Sequence, residues 1–197
     1  MSSANLDTRT RILNSAWKLL EASQGQGVRM SDIAKAAGIS RQALYLHFPT
    51  RAELLTATTR HLDDVKNVDA RLTASRNAAT GAERLDTFIE AWGGYIPDIY
   101  GIGKALLAMK DTDDEAAAAW NDRMAAVRHG CQAAIQALKN DGVLSPDHSP
   151  KQATDILWTL LSVRNWEQLT IDCSWSQKRY IDLIKSLAKR ALLVNKE

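Results

Sequence analysis

Apolar residues recur at helical spacing along nearly the whole chain. Ile12, Leu13, Ala16, Leu19 and Leu20 share one face of a segment from Thr8 to Ala22. Ile33, Ala34 and Ala37 form an apolar face in a shorter segment, Met30 to Ala37. Leu44 and Phe48, four apart, anchor a third, Arg41 to His47. Further helices are expected near 50–75, 82–95, 98–109, 113–140, 151–171 and 176–193, and no segment reads as a strand. The pattern predicts an all-α protein.

The polar punctuation fits these elements. Gly38 lets the chain leave the Met30 helix through a positive φ. Ser40 can cap the next helix, and Pro49 stops it. Thr50 with Glu53 matches a capping box, as do Thr80 with Glu83, Thr112 with Glu115, Ser149 with Gln152 and Ser174 with Gln177. Pro97 and the glycines at 93, 94, 101 and 103 predict a break or kink between two helices.

Two short helices joined by a tight turn suit a helix-turn-helix, whose second helix enters the major groove of DNA. Arg41 and Gln42 point outward at the start of that second helix. Arginine bonds guanine and glutamine bonds adenine in bidentate fashion, so both fit base contact. A plain helical hairpin would share the Ala-Gly turn. Charge favours DNA: the first sixty residues carry eight basic and four acidic side chains, and the remainder seventeen and nineteen. A basic head on a slightly acidic body suits phosphate binding.

The stretch DIAKAAGIS, the residues Leu44, Tyr45, His47 and Phe48, and PTRAELL after them resemble the DNA-binding domain of the TetR family of bacterial transcriptional regulators. The motif covers Val28 to Leu55. The resemblance implies a three-helix helix-turn-helix domain, 1–49, followed by a larger helical effector-binding and dimerisation domain, 50–197. It implies base contact by Arg41, Gln42 and Tyr45, and backbone contact by Ser40, His47, Thr50 and Arg51. Three departures stand out. Gln42 replaces a frequent glycine. Leu46 replaces a common second tyrosine, which removes one hydroxyl contact. Val28, Arg29 and Met30 stand where threonines are usual, so Arg29 or Ser31 is the candidate for that phosphate contact. Thr50, Tyr45, His47 and Arg51 also have plain structural roles open to them.

The last two long helices carry broad apolar faces, among them Leu157, Leu161, Trp166, Ile181, Ile184 and Leu187. A single chain's core could absorb these. Two recognition helices must meet two half-sites, however, so a two-fold dimer is expected. The resemblance implies that these helices form its four-helix interface. In the middle, Trp92, Tyr95, Tyr100, Met109, Trp120, Met124, Arg128 and Trp158 are candidates to line an effector pocket, with ordinary core packing as the alternative. The resemblance implies a repressor released from its operator by a small, largely apolar ligand. A DNA-binding protein with no small-molecule effector is the alternative.

Other chemistry finds little support. The four histidines show no zinc spacing, and no phosphate loop or nucleophile elbow occurs. The protein is therefore expected to be neither an enzyme nor a metal or cofactor carrier. Asp111, Asp113, Asp114 and Glu115 fit a helix N-terminus, where carboxylates interact favourably with the dipole. No apolar run reaches membrane-span length, and Met1 to Asp7 lacks the order of a signal peptide. A cytoplasmic location is expected, with Cys131 and Cys173 as free thiols.

Overall fold

Every regular element among the described residues is a helix. The computed structural model describes residues 3–23 and 26–194, with side chains from Asp7 onward. Residues 1 and 2 of the Met1–Asp7 segment, and the last three residues, lie outside the described residues. The elements are α1 (Ser3–Ser23), α2 (Met30–Ala36), α3 (Arg41–His47), α4 (Arg51–Val65), α5 (Val68–Arg71), α6 (Thr73–Arg76), α7 (Gly81–Met109), α8 (Asp114–Asn140), α9 (Pro150–Leu160), α10 (Val163–Glu167) and α11 (Gln177–Leu192). A π-helical turn, Gln168–Asp172, follows α10. One isolated antiparallel bridge joins Leu144 and Leu193.

The chain folds as two compact units, which divide differently from a cut at residue 49. One comprises Met1–Lys66 and Asp98–Met124, and the other Asn67–Pro97 and Ala125–Glu197. The first unit's core joins Ile12, Ala16 and Leu20 of α1 to Ile33 of α2, Leu44, Phe48, and Leu54, Leu55 and Leu62 of α4. Ile102, Leu106 and Met109 of α7, and Ala116 and Ala119 of α8, belong to the same cluster. Three short helices alone offer little apolar area, so the ends of two longer helices complete the core. The second unit buries Leu85, Ile89 and Ile96 of α7, Cys131, Ile135 and Leu138 of α8, Leu157 of α9, and Tyr180, Ile184 and Leu192 of α11.

Four expectations are corrected. The helix from Thr50 does not run to residue 75. It ends at Val65, and Asn67 turns the chain through φ 60° into α5. Asparagine tolerates that left-handed conformation better than most residues. The second correction is that residues 82–95 and 98–109 form one helix, with Pro97 inside it. Proline lacks the N–H that would bond the Gly93 carbonyl, four residues earlier. Gln177 supplies the missing donor: its Nε2 reaches that carbonyl at 2.6 Å. Two of the four glycines sit in close packing, while a Cβ on Gly94 would meet nothing within 4 Å. A Cβ on Gly93 would lie 3.0 Å from Ile181, and one on Gly101 would lie 3.0 Å from Glu21.

The third correction concerns residues 151–171. α9 stops at Leu160, and Ser162 caps α10 by accepting from the Arg164 N–H at 3.2 Å. The last concerns two caps. Ser174 lies at φ 55°, and Ser176 caps α11 in its place. Asp113, not Thr112, caps α8, accepting from the Glu115 and Ala116 N–H groups at 3.1 Å. The box of Ser149 and Gln152 forms as expected, with Pro150 at the first turn.

Candidate nucleic-acid interface

The turn between α2 and α3 is built from backbone chemistry. The Gly38 N–H donates to the Lys35 carbonyl at 3.1 Å, and the Ile39 N–H to the Ala34 carbonyl at 3.0 Å. This is a Schellman ending, and it needs a left-handed residue, which Gly38 supplies at φ 67°. A Cβ on Gly38 would meet nothing within 4 Å, so conformation rather than space requires the glycine. Arg11 of α1 donates from Nε to the Ala37 carbonyl at 2.9 Å, satisfying another group at the end of α2. Ser40 then caps α3, its Oγ accepting from the Ala43 N–H at 3.1 Å.

Leu44 and Phe48 are buried and fix α3 by one side. Arg41, Gln42, Tyr45 and Leu46 are left exposed on the other. Arg41 donates from Nη2 to the Tyr45 hydroxyl at 3.4 Å, and its guanidinium lies 5.5 Å from that ring's centroid. The bond to Tyr45 raises the Arg41 pKa further, so the guanidinium stays charged. The pair presents a fork of donors and a phenol edge side by side.

The expected backbone-contact residues divide by environment. Arg29, Ser31, Ser40 and Thr50 are exposed, and His47 is half-buried. Thr50 accepts from the Glu53 N–H at 3.1 Å and Ser40 from Ala43, so each hydroxyl keeps its proton free to donate. Arg51 differs. Its side chain is only 14% exposed, and it donates to Asp113 at 2.8 Å, to Glu115 at 3.2 Å and to the Val28 carbonyl at 2.8 Å. The side chain expected at a phosphate is tied inside its own unit, because the acidic start of α8 packs beside α4. That acidic cluster is therefore a cap and an anchor. Among the described residues no group of three His, Cys, Asp or Glu is arranged to hold a metal ion.

Sequence reasoning missed Arg9. It donates from Nη1 to the His47 carbonyl at 3.2 Å, and its guanidinium sits 4.2 Å over the Phe48 ring. Nothing in the spacing of α1 announces that role. Arg9, His47, Phe48, Glu53, Arg60 and His61 border an open groove of about 620 Å³ in this unit. None of the expected pocket residues lines it.

Those expected pocket residues fall into both units. Tyr100, Met109, Trp120 and Met124 belong to the first, and Trp92, Tyr95, Arg128 and Trp158 to the second. Met109 and Tyr95 are core residues, each 3% exposed. Trp92 donates from Nε1 to the Leu161 carbonyl at 2.8 Å, and Arg128 pairs with Asp155 and lies 5.2 Å from the Trp158 ring. The expected dimer residues all lie in the second unit. Leu157, Leu161, Trp166, Ile181 and Ile184 are buried within the second unit of a single chain, and only Leu187 is half-exposed. α11 spends its apolar face on α9 and on Gly93 of α7. Periodicity marks a buried face without saying what buries it.

Among the described residues, no helix is long and apolar enough to cross a membrane. Residues 12–58 match the family described as bacterial regulatory proteins, tetR family. A nucleoid occlusion factor, SlmA, from Marinomonas sp. is 34% identical over 84 residues, which span 36% of this chain and 43% of that protein. The chain thus covers less than half of that relative. The HTH-type transcriptional regulator CymR of Pseudomonas putida is 27% identical over 182 residues, spanning 88% of this chain and 83% of CymR. The fold is that of a transcriptional regulator from Saccharomonospora viridis solved in complex with choline, with a TM-score of 0.73 at 21% identity, covering 96% of this chain and 99% of the other. Residues 12–58 are thus similar to the DNA-binding segment of the tetR family of bacterial regulatory proteins, and the all-helical fold is shared with the solved structure of that regulator.

Proposed function

We propose that this protein is a dimeric, DNA-binding transcriptional regulator that reads its site through α3, and that a small, largely apolar ligand releases it from DNA as a repressor. The face of α3 carries the DNA-binding part. Four consecutive-turn side chains, Arg41, Gln42, Tyr45 and Leu46, stand exposed on a helix fixed by Leu44 and Phe48 behind them. Arg41, Gln42 and Tyr45 are the proposed base contacts. Arg29, Ser31, Ser40, His47 and Thr50 are the proposed backbone contacts, with Arg9 and Arg11 close behind them on α1. A dimer is proposed because one seven-residue helix meets few base pairs, and two-fold pairing doubles the site. The ligand part rests on the resemblance to that family, and a protein of the same fold solved with choline shows that such a fold can hold a small molecule. Release requires that the ligand prefer one conformation of the protein over the other.

A second reading is DNA binding with no small-molecule effector; one relative is named for nucleoid occlusion and not for transcription. Selection from random DNA with the purified full-length protein tests the common part. Enrichment of a two-fold sequence, lost in the Arg41→Ala/Gln42→Ala variant and weakened by salt, is the expected result. Failure to enrich any sequence with folded protein would sink it. A thermal-shift screen then separates the two readings, since a ligand bound to the native state raises Tm.

A further inference from the structure

Leu46 is 84% exposed, the most open large apolar side chain among the described residues. A lone exposed leucine on an ordinary surface needs no explanation. This one sits at the pole of α3. At about 100° per residue, Gln42 and Leu46 each lie about 160° from the buried Leu44, one on either side of the outermost line. They are four apart and therefore neighbours on that line. A helix of seven residues is about 10 Å long, so it fits within a major groove about 12 Å wide.

We propose that Leu46 reads the 5-methyl group of a thymine, in the base pair that Gln42 reads or in the one beside it. The inference rests on the DNA-binding reading above. Leucine offers no hydrogen bond, and covering a polar base edge with it would strip water from donors or acceptors without replacement. The thymine methyl is the one apolar group on the major-groove edge of the four bases. Glutamine pairs with the N6 and N7 edge of adenine, and the partner of adenine is thymine. Gln42 and Leu46 together thus favour an A·T pair from its two sides. An arginine-only face would favour G·C.

The test uses the full chain and the sequence it enriches from random DNA. Each thymine of that sequence is replaced in turn by uracil, which removes only the methyl, and binding is measured for the wild type and Leu46→Ala. The wild type should lose about three- to fivefold at one thymine in each half-site, the worth of one buried methyl. Leu46→Ala should show no loss at that position while keeping every other preference. Alanine is a good helix former at an exposed site, so the variant should fold. An enriched sequence with no methyl whose effect depends on Leu46 would overturn this inference and leave the DNA reading standing. A uniform weakening of Leu46→Ala on thymine and uracil sites alike would also overturn it. Failure to enrich any sequence would remove the DNA reading and this inference with it.

Discussion

Arg51 shows how one residue's surroundings override its type. Its place just after α3 suits a phosphate contact, but it holds the start of α8 to the start of α4 through Asp113 and Glu115. Arg51→Ala should lower stability by about 1–3 kcal/mol in urea unfolding, since it leaves the Val28 carbonyl and two carboxylates short of a donor. A stability equal to wild type with weakened DNA binding would return Arg51 to the phosphate role. The two cysteines make the same point. Cys173 is exposed, whereas burial pushes the Cys131 thiol up to about 12. At pH 8 Cys131 is therefore a neutral, shielded thiol and a poor nucleophile. Iodoacetamide should modify one thiol per native chain by mass spectrometry, and two after denaturation.

At the scale of elements, α7 depends on a side chain far away in sequence. Gln177 donates to the Gly93 carbonyl that Pro97 leaves unbonded, and accepts from Trp166 Nε1 at 2.8 Å. Gln177→Ala would orphan both groups. It should cost about 1–3 kcal/mol, measured as a lower urea midpoint. Within the first unit, α4 and α8 are joined by Arg60, Asp122, Arg123 and Asp63. The hydrogen bond from Arg60 holds the Asp122 carboxyl below its ordinary value, opposed by desolvation and helped by Arg123. A depressed carboxylate contributes stability above its unfolded pKa and loses it as pH falls through the folded one. Wild type should therefore lose its stability margin over Asp122→Asn below about pH 4. Arg60 is 61% exposed, so the margin should be under about 1 kcal/mol. A margin unchanged between pH 7 and pH 3 would dissolve the assignment.

For the whole molecule, the exposed cations beside α3 predict binding governed by salt. Arg29→Ala should weaken binding to every DNA sequence alike and reduce the slope of log K against log salt by about one. Arg41→Ala should instead cost about 1–3 kcal/mol at its own base pair and relax selectivity there. Titrations at four salt concentrations distinguish the two, and equal behaviour of both variants would contradict the division into base and backbone contacts. The two compact units bear on what a truncation could achieve. A fragment ending at residue 49 would lack Leu54, Leu62, Ile102, Met109 and Ala116, all members of the head's own core.

Local sequence specifies the first three helices, the turn at Gly38, the cap at Ser40 and the outward set on α3. These depend on contacts within a few residues, and local chemistry suffices to specify them. Contacts between residues far apart in the chain settle which long helices complete the head, why Pro97 does not break α7, and where Arg51 points. They also settle that Leu157, Leu161, Trp166, Ile181 and Ile184 face their own core. An apolar stripe records that a face is covered, and a missing N–H records that a donor is needed. The identity of the covering surface or the donor is settled only when residues distant in sequence, such as Gly93 and Gln177, meet in space.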